Sequence, residues 1–263
     1  MTQAPAPETV RRLDHGFRWR GERDVSRLES FSDAVFAIVL ALLFLRSVPP
    51  ESFFELDAAM KSMLASIPAY AITCYLWFEH WLFSRRYNLR DGRTAFLNLL
   101  LLFLLLVYAY PLKFLFTTLF VRFFGPIGNL TESVITQGWQ GMDTLLWLYS
   151  YYSGGYLLIF LVLVWLYRRA LAEREMLQLN AFELYQTQAS LVRFWFQIAV
   201  AAASIALAFA GRYVGYSAPG WIYCVLGPGM AILGVVQGRR SERLLRQVYQ
   251  TSGGSSAAGS SGG

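Results

Sequence analysis

The sequence has little charge and almost no cysteine. Only 15% of its 263 residues are charged, whereas soluble domains average about 25%. Two cysteines, Cys74 and Cys224, are too few for a secreted disulfide scaffold of this length. Disorder is excluded because hydrophobic residues make up 56% of the chain. These hydrophobic residues come in long blocks, which favours a membrane protein with several spans over a soluble globule.

Six blocks are long enough to cross a bilayer as helices, for which about 20 mainly apolar residues are needed. Each is too long for a strand of a membrane barrel and lacks strict alternation. The sequence therefore predicts an all-α polytopic protein with a six-helix domain at 26–238. A basic segment at 1–25 precedes that domain, and a basic segment with a flexible Ser/Gly tail at 239–263 comes after it. The predicted spans are 31–48, 59–84, 95–120, 144–167, 191–210 and 218–237.

The basic residues are distributed unevenly between the two sides of these spans. Of the 23 Lys and Arg residues, 18 fall in the N-terminal segment, the second and fourth connections and the C-terminal segment, and five fall on the other side. The positive-inside rule then predicts that both termini are cytoplasmic. The net charge of +6 is thus explained without nucleic acid, as a determinant of topology that also suits anionic lipid headgroups.

The first span carries ionisable residues, which are costly in hydrocarbon. Asp33 lies about one turn inside and is followed by twelve uncharged residues. Arg27 precedes it by six positions, a rotation of about 240°, so the two do not pair on their own helix. Trp77 and His80 share a face near the end of the second span, and Asn98 lies early in the third. These residues predict a polar cluster that ties three helices together, which is favoured over a metal site because a metal needs more ligands.

The same span also carries an apolar stripe. Ile38, Leu42 and Leu45 are spaced at 0, 4 and 7 positions and so share one side of a helix. By spacing alone, such a stripe indicates packing against a neighbouring helix or lipid.

Three motifs resemble the transmembrane protein 175 potassium channel family, prokaryotic branch. They are RLESFSDAVFAI from Arg27, WFEH from Trp77 and NLLLLF from Asn98. The six predicted spans and cytoplasmic termini agree with that family, and the resemblance covers about residues 26–237.

The resemblance implies a homotetrameric, potassium-preferring channel with passive permeation, a multi-pass protein of the bacterial inner membrane with no cofactor. The first helix of each subunit would line the pore, with Ile38 at a narrow hydrophobic constriction and Leu42 and Leu45 stacked beyond it. The residues implied in the polar network that fixes this helix are Arg27, Phe31, Ser32, Asp33, Trp77, His80 and Asn98.

Two positions depart from the family pattern. Bacterial members often have Thr three residues after the constriction, where this chain has Ala41, so strong potassium selectivity is not expected. Arg46 stands near the outer end, where an acidic or neutral residue is common. Four copies of it at the mouth would repel cations; a pair with Glu51 or Glu55 is the alternative.

Two other membrane functions stay open as alternatives, a secondary transporter and a proton-conducting channel. Pro68, Pro111 and the Gly-Pro-Gly at 227–229 resemble the helix breaks of transporters, but the two halves show no convincing repeat. An enzyme is not predicted, because the sequence has no nucleophile–base motif, His/Cys metal set or phosphate loop.

Overall fold

The computed structural model of the chain describes residues 13–14, 17–20, 27–45, 50–124, 142–210 and 218–258, without the side chains at 13–14, 118–119, 121–124, 142–146 and 245–258. Two short strands, β1 (Leu13–Asp14) and β2 (Phe17–Arg18), pair antiparallel, and a 3₁₀ helix at Ile222–Val225 joins the last two helices. The helices are α1 (Arg27–Phe44), α2 (Phe53–Ala65), α3 (Ile67–Tyr87), α4 (Gly92–Phe124), α5 (Met142–Ala172), α6 (Ala181–Phe209), α7 (Ala218–Trp221) and α8 (Leu226–Ala258). The described chain is thus almost wholly helical.

Four stretches of the described residues are long and apolar enough to cross a membrane: Gly92–Thr117, Trp147–Ala172, Ala181–Phe209 and Ala218–Leu244. They correspond to the third to sixth predicted spans. The first predicted span does not qualify: α1 has 18 residues and carries three charges in its first two turns. The six-span topology therefore stays a prediction.

The second predicted span, 59–84, is wrong as a single helix. α2 ends at Ala65, Ser66 separates the two helices, and α3 begins with Pro68 in its first turn. Proline lacks the N–H that a helix interior requires and fits only the first turn, so it starts a new helix here. The Ser66 hydroxyl donates to the Ser62 carbonyl at 3.0 Å and closes the end of α2.

Two other helices run beyond their predicted bounds. α6 begins at Ala181 rather than at 191 because Asn180 and Glu183 form a capping box: the Glu183 N–H donates to the Asn180 side chain at 2.8 Å, and the Asn180 N–H donates to the Glu183 carboxylate at 3.1 Å. α8 continues past 237, since the Arg, Glu, Leu and Gln residues there favour helix.

The core is built on the antiparallel pair α5 and α6. The ring centroids of Tyr167 and Phe194 lie 5.0 Å apart, and the hydroxyl groups of Ser153 and Ser204 are 2.9 Å apart. The end of α5 therefore lies beside the earlier part of α6, and the beginning of α5 beside its later part. A side chain at Gly155 would overlap the Tyr108 ring, which shows how closely α4 approaches α5. α1 packs on α3 and α4, at the side of this core.

Candidate functional site

α1 has two unlike faces. One is buried against the helices of its own chain through Ser32, Val35, Phe36, Val39 and Leu43. The other, here called the open face, consists of the exposed residues from Phe31 onward that lie within about 60° of Ile38 on the helix. Ile38 is 53% exposed and Leu45 is 64% exposed on this face, whereas Val39, one residue away, is fully buried. The exposed residues of the open face are Phe31, Ala34, Ile38, Ala41 and Leu45, with Leu42 half-buried beside them.

The open face carries no charge, and some of its side chains are small. From Ala34 to Leu45 it carries no charged side chain, and two of its exposed residues are alanines. The larger exposed side chains, Phe31, Ile38 and Leu45, follow one another at intervals of two turns. A face of this kind holds no reactive group; copies of it around an axis would form a steric and dewetting barrier.

The predicted polar residues form two hydrogen-bonded pairs. The Trp77 indole N–H donates to the Asp33 carboxylate at 2.9 Å, joining α3 to α1. The His80 imidazole Nε2 and the Asn98 amide oxygen are 3.2 Å apart, joining α3 to α4 in a buried site. The Phe36 ring of α1 lies 5.7 Å from the His80 ring, so α1 also contacts α3 beside the buried pair. α3 therefore holds both α1 and α4 with side chains three residues apart.

The remaining residues of the predicted network are less connected. The Ser32 hydroxyl is buried and donates to the Leu28 carbonyl of its own helix at 2.8 Å. Phe31 is half exposed, on the open face. Arg27 is exposed and forms no hydrogen bond or ion pair within the described part of the chain. Arg46 lies outside the described residues.

Two contacts that the sequence did not predict fix the ends of α1. At its start, Arg85 Nε of α3 lies 3.6 Å from the Glu29 carboxylate. At its end, the Lys113 ammonium of α4 donates to the Leu45 carbonyl at 3.1 Å. A cation suits this position, because the last carbonyls of a helix carry partial negative charge. Lys113 had a signal in the sequence, since it is the one charged residue between Arg93 and Arg122.

A second polar site lies inside the helix bundle, away from α1. The Glu79 carboxylate is buried, with Arg193 Nη2 of α6 at 3.7 Å and the Tyr167 hydroxyl of α5 donating at 3.4 Å. Such groups hold membrane helices together because an unpaired charge in hydrocarbon is costly. No three His, Cys, Asp or Glu side chains come together as metal ligands anywhere in the described ranges.

Comparisons with known proteins agree on one family. The model of the family described as endosomal/lysosomal potassium channel TMEM175 matches residues 27–109, which contain α1, α2, α3 and about the first half of α4. A potassium channel of Marivirga tractuosa is 34% identical over 242 residues, covering 91% of this chain and 98% of the relative. The crystal structure of a variant of the potassium channel MtTMEM175, in complex with a nanobody–MBP fusion, superimposes with a TM-score of 0.74 at 32% identity, covering 86% of this chain and 99% of the other.

Proposed function

This chain belongs to the TMEM175 potassium channel family, and we propose that the open face of α1 lines its conduction path. The relatives are potassium channels, so the chain is a membrane channel for potassium and not an enzyme. Potassium ions would pass along this surface of the chain.

The single observation that carries the proposal is the exposure of α1 on one side only. The side that bears Val39 is closed by the chain's own helices, whereas the side that bears Ile38 has no cover within the described residues. Four copies arranged around an axis would bring these open faces together. The Ile38 side chains would then form the narrowest ring, with rings of Leu42 and Leu45 beyond it.

Such a ring would act by excluding water. An apolar constriction without charge opposes ions until it widens, because a hydrated ion cannot shed its shell where nothing replaces it. Ala41 adds no hydroxyl beside the ring, so potassium is preferred over sodium only because it is the more weakly hydrated cation. The expected selectivity is accordingly modest.

The polar pairs support the proposal by holding α1 in place. Trp77 binds Asp33 near the start of α1, and Lys113 binds the Leu45 carbonyl at its end. A pore helix needs such anchors, because a small shift in it would change the width of the ring. In this proposal both termini are cytoplasmic, and the protein is a homotetramer in the bacterial inner membrane.

Ion flux into liposomes reconstituted with the purified full chain tests the proposal. Potassium, sodium and proton flux are compared in the same preparation. The original protein is expected to pass potassium faster than sodium, and Ile38→Asn is expected to raise flux at least tenfold while reducing this preference, because the amide admits water to the ring.

The matched control is Ile232→Asn on α8, where the isoleucine is also mostly exposed. This change is expected to leave flux and preference as they are. Equal behaviour of the two variants would place Ile38 against lipid and refute the proposal, and proton flux without potassium flux would favour a proton-conducting channel instead.

A further inference from the structure

Residues Phe17–Arg20, here called the N-terminal clasp, bind to parts of the chain far away in sequence. The Phe17 side chain is 1% exposed and its ring packs edge-on against the Tyr87 ring of α3, with centroids 5.7 Å apart. The Arg86 guanidinium lies 4.8 Å from the centre of the Phe17 ring. A basic segment before the first helix, which topology alone would explain, is therefore packed on the end of α3.

Two arginines of the clasp converge on one carboxylate, that of Glu183 in the first turn of α6. Arg18 donates to it from its backbone N–H at 2.9 Å, from Nε at 3.0 Å and from Nη2 at 2.9 Å. Arg20 donates from Nη2 at 2.7 Å. The Glu183 side chain is fully buried, so loss of both arginine side chains would leave a buried charge with only the Arg18 backbone N–H and the helix cap as partners.

The other polar groups of Arg20, its Nε and its backbone N–H and carbonyl, bind the end of α3, the residue that follows it and the loop before α6. Its Nε donates to the Leu177 carbonyl before α6 at 2.8 Å, and its backbone N–H donates to the Arg85 carbonyl of α3 at 3.1 Å. The Asn88 amide donates to the Arg20 carbonyl at 3.1 Å. The clasp thus holds the end of α3 and the start of α6 together.

The clasp is connected to α1 in two ways. Arg85, whose carbonyl Arg20 binds, directs its guanidinium toward Glu29 in the first turn of α1. Arg20 also precedes the start of α1 at Arg27 by only seven residues. A contiguous set of contacts therefore runs from Glu183 to the helix that carries Ile38, as physical coupling between separate parts of a protein requires.

We propose that Arg18, Arg20 and Glu183 are positioning residues for the conduction path: they hold the start of α1 through Arg85 and so restrain the ring at Ile38. Ile38 lies nine residues beyond Glu29, about 13.5 Å along the helix, within reach of a rigid tilt of α1. The proposal rests on the proposed function, since it matters for conduction only if α1 lines the path. When the clasp is released, α1 can tilt and the ring of Ile38 side chains can widen.

The test uses the full chain in liposomes, with Cys74 and Cys224 replaced by alanine and a reporter cysteine introduced as Ser32→Cys. Ser32 lies on the buried face of α1 and is fully buried. The rate at which a cysteine there reacts with a soluble thiol reagent therefore reports whether the start of α1 has loosened. The test variant is R18Q/R20Q. The matched control is R174Q, which removes the same kind of charge from an exposed side chain close to α6.

R18Q/R20Q is expected to label at least three times faster than the reference and to raise potassium flux at least threefold, with the potassium-to-sodium ratio unchanged. R174Q is expected to change neither. R20K, which keeps the charge but not the forked geometry, is expected to fall between them.

Labelling of R18Q/R20Q at the rate of R174Q would overturn the proposal, and so would faster labelling with unchanged flux. If the double variant does not fold, the single R18Q, whose arginine side chain is 43% exposed, replaces it under the same criteria. Absence of potassium flux from the reference and from Ile38→Asn would refute the proposed function alone, because the labelling still reports whether the clasp holds α1.

Discussion

The two faces of α1 differ sharply in exposure although they lie on one helix. Val39 and Phe36 are buried by α3 and α4, whereas Ile38 and Leu45, which are just as apolar, are left mostly exposed. Composition does not separate the two faces. The difference shows that the fold of one chain buries only one face of this helix. The other face is left to contact lipid, other copies of the chain or a pore.

The largest effect on stability is expected from a substitution at Val39, which is adjacent to Ile38 but lies on the buried face. Val39→Asn places an amide without a partner in the packed interface, which costs roughly 2–3 kcal/mol. Ile38→Asn adds the same group to the open face and is expected to cost well under about 1 kcal/mol. Thermal unfolding of both variants in detergent measures the difference; equal midpoints would mean that the two faces are equivalent.

The anchored start of α1 gives the next largest effect. Asp33→Ala leaves the Trp77 indole without its acceptor and is expected to reduce the yield of assembled protein severalfold, since a hydrogen bond to a charged group contributes about 1.5–3 kcal/mol. Trp77→Phe, which keeps most of the ring, is expected to do less harm. Size-exclusion chromatography measures assembly, and a stable Asp33→Ala assembly with altered selectivity would assign Asp33 to permeation instead.

A smaller effect is expected from a hydroxyl on the open face. Ala41→Thr is expected to raise the potassium-to-sodium flux ratio at least twofold, because the hydroxyl offers an oxygen to a partly dehydrated ion. Ala37→Thr is the control, since Ala37 is exposed but lies about 100° from Ile38. Should both variants shift the ratio alike, Ala41 would have no special place beside the constriction.

The smallest effect concerns the end of α1. Lys113→Met removes the ammonium from the Leu45 carbonyl and is expected to lower stability by about 0.5–1 kcal/mol, with Lys113→Arg retaining most of it. The thermal midpoint of each variant is the measurement. A loss larger than that of Val39→Asn would make this end, rather than the buried face, the main support of α1.

The sequence was most informative where the physics is local. Hydrophobic blocks, the uncharged stripe and the charges at its start predicted helices in the right order, and Trp77 was placed on the face that binds Asp33. Pro68 was noted as a possible break, but 59–84 was kept as one span because a proline fits a kinked membrane helix as well as the start of a new one. The start of α6 was missed because it depends on a capping box among polar residues outside the apolar block.

Long-range contacts were outside the reach of the sequence. Nothing in the pattern of residues connects Arg18 with Glu183, 165 positions apart, or Glu79 with Arg193. Many arginines and glutamates are equivalent by sequence, and which of them meet depends on how α3, α5 and α6 pack. The exposure of Ile38 is of the same kind, since spacing alone favoured ordinary packing for its stripe.

The sequence by itself determined that the chain is helical and apolar enough for a membrane, because helix period and hydrophobicity are properties of short segments. Only the tertiary structure decided which face of α1 is covered, which charges are paired and where the N-terminal clasp binds. These depend on the positions of whole helices relative to one another, and a pattern along one helix specifies which residues share a face but not which neighbour that face meets.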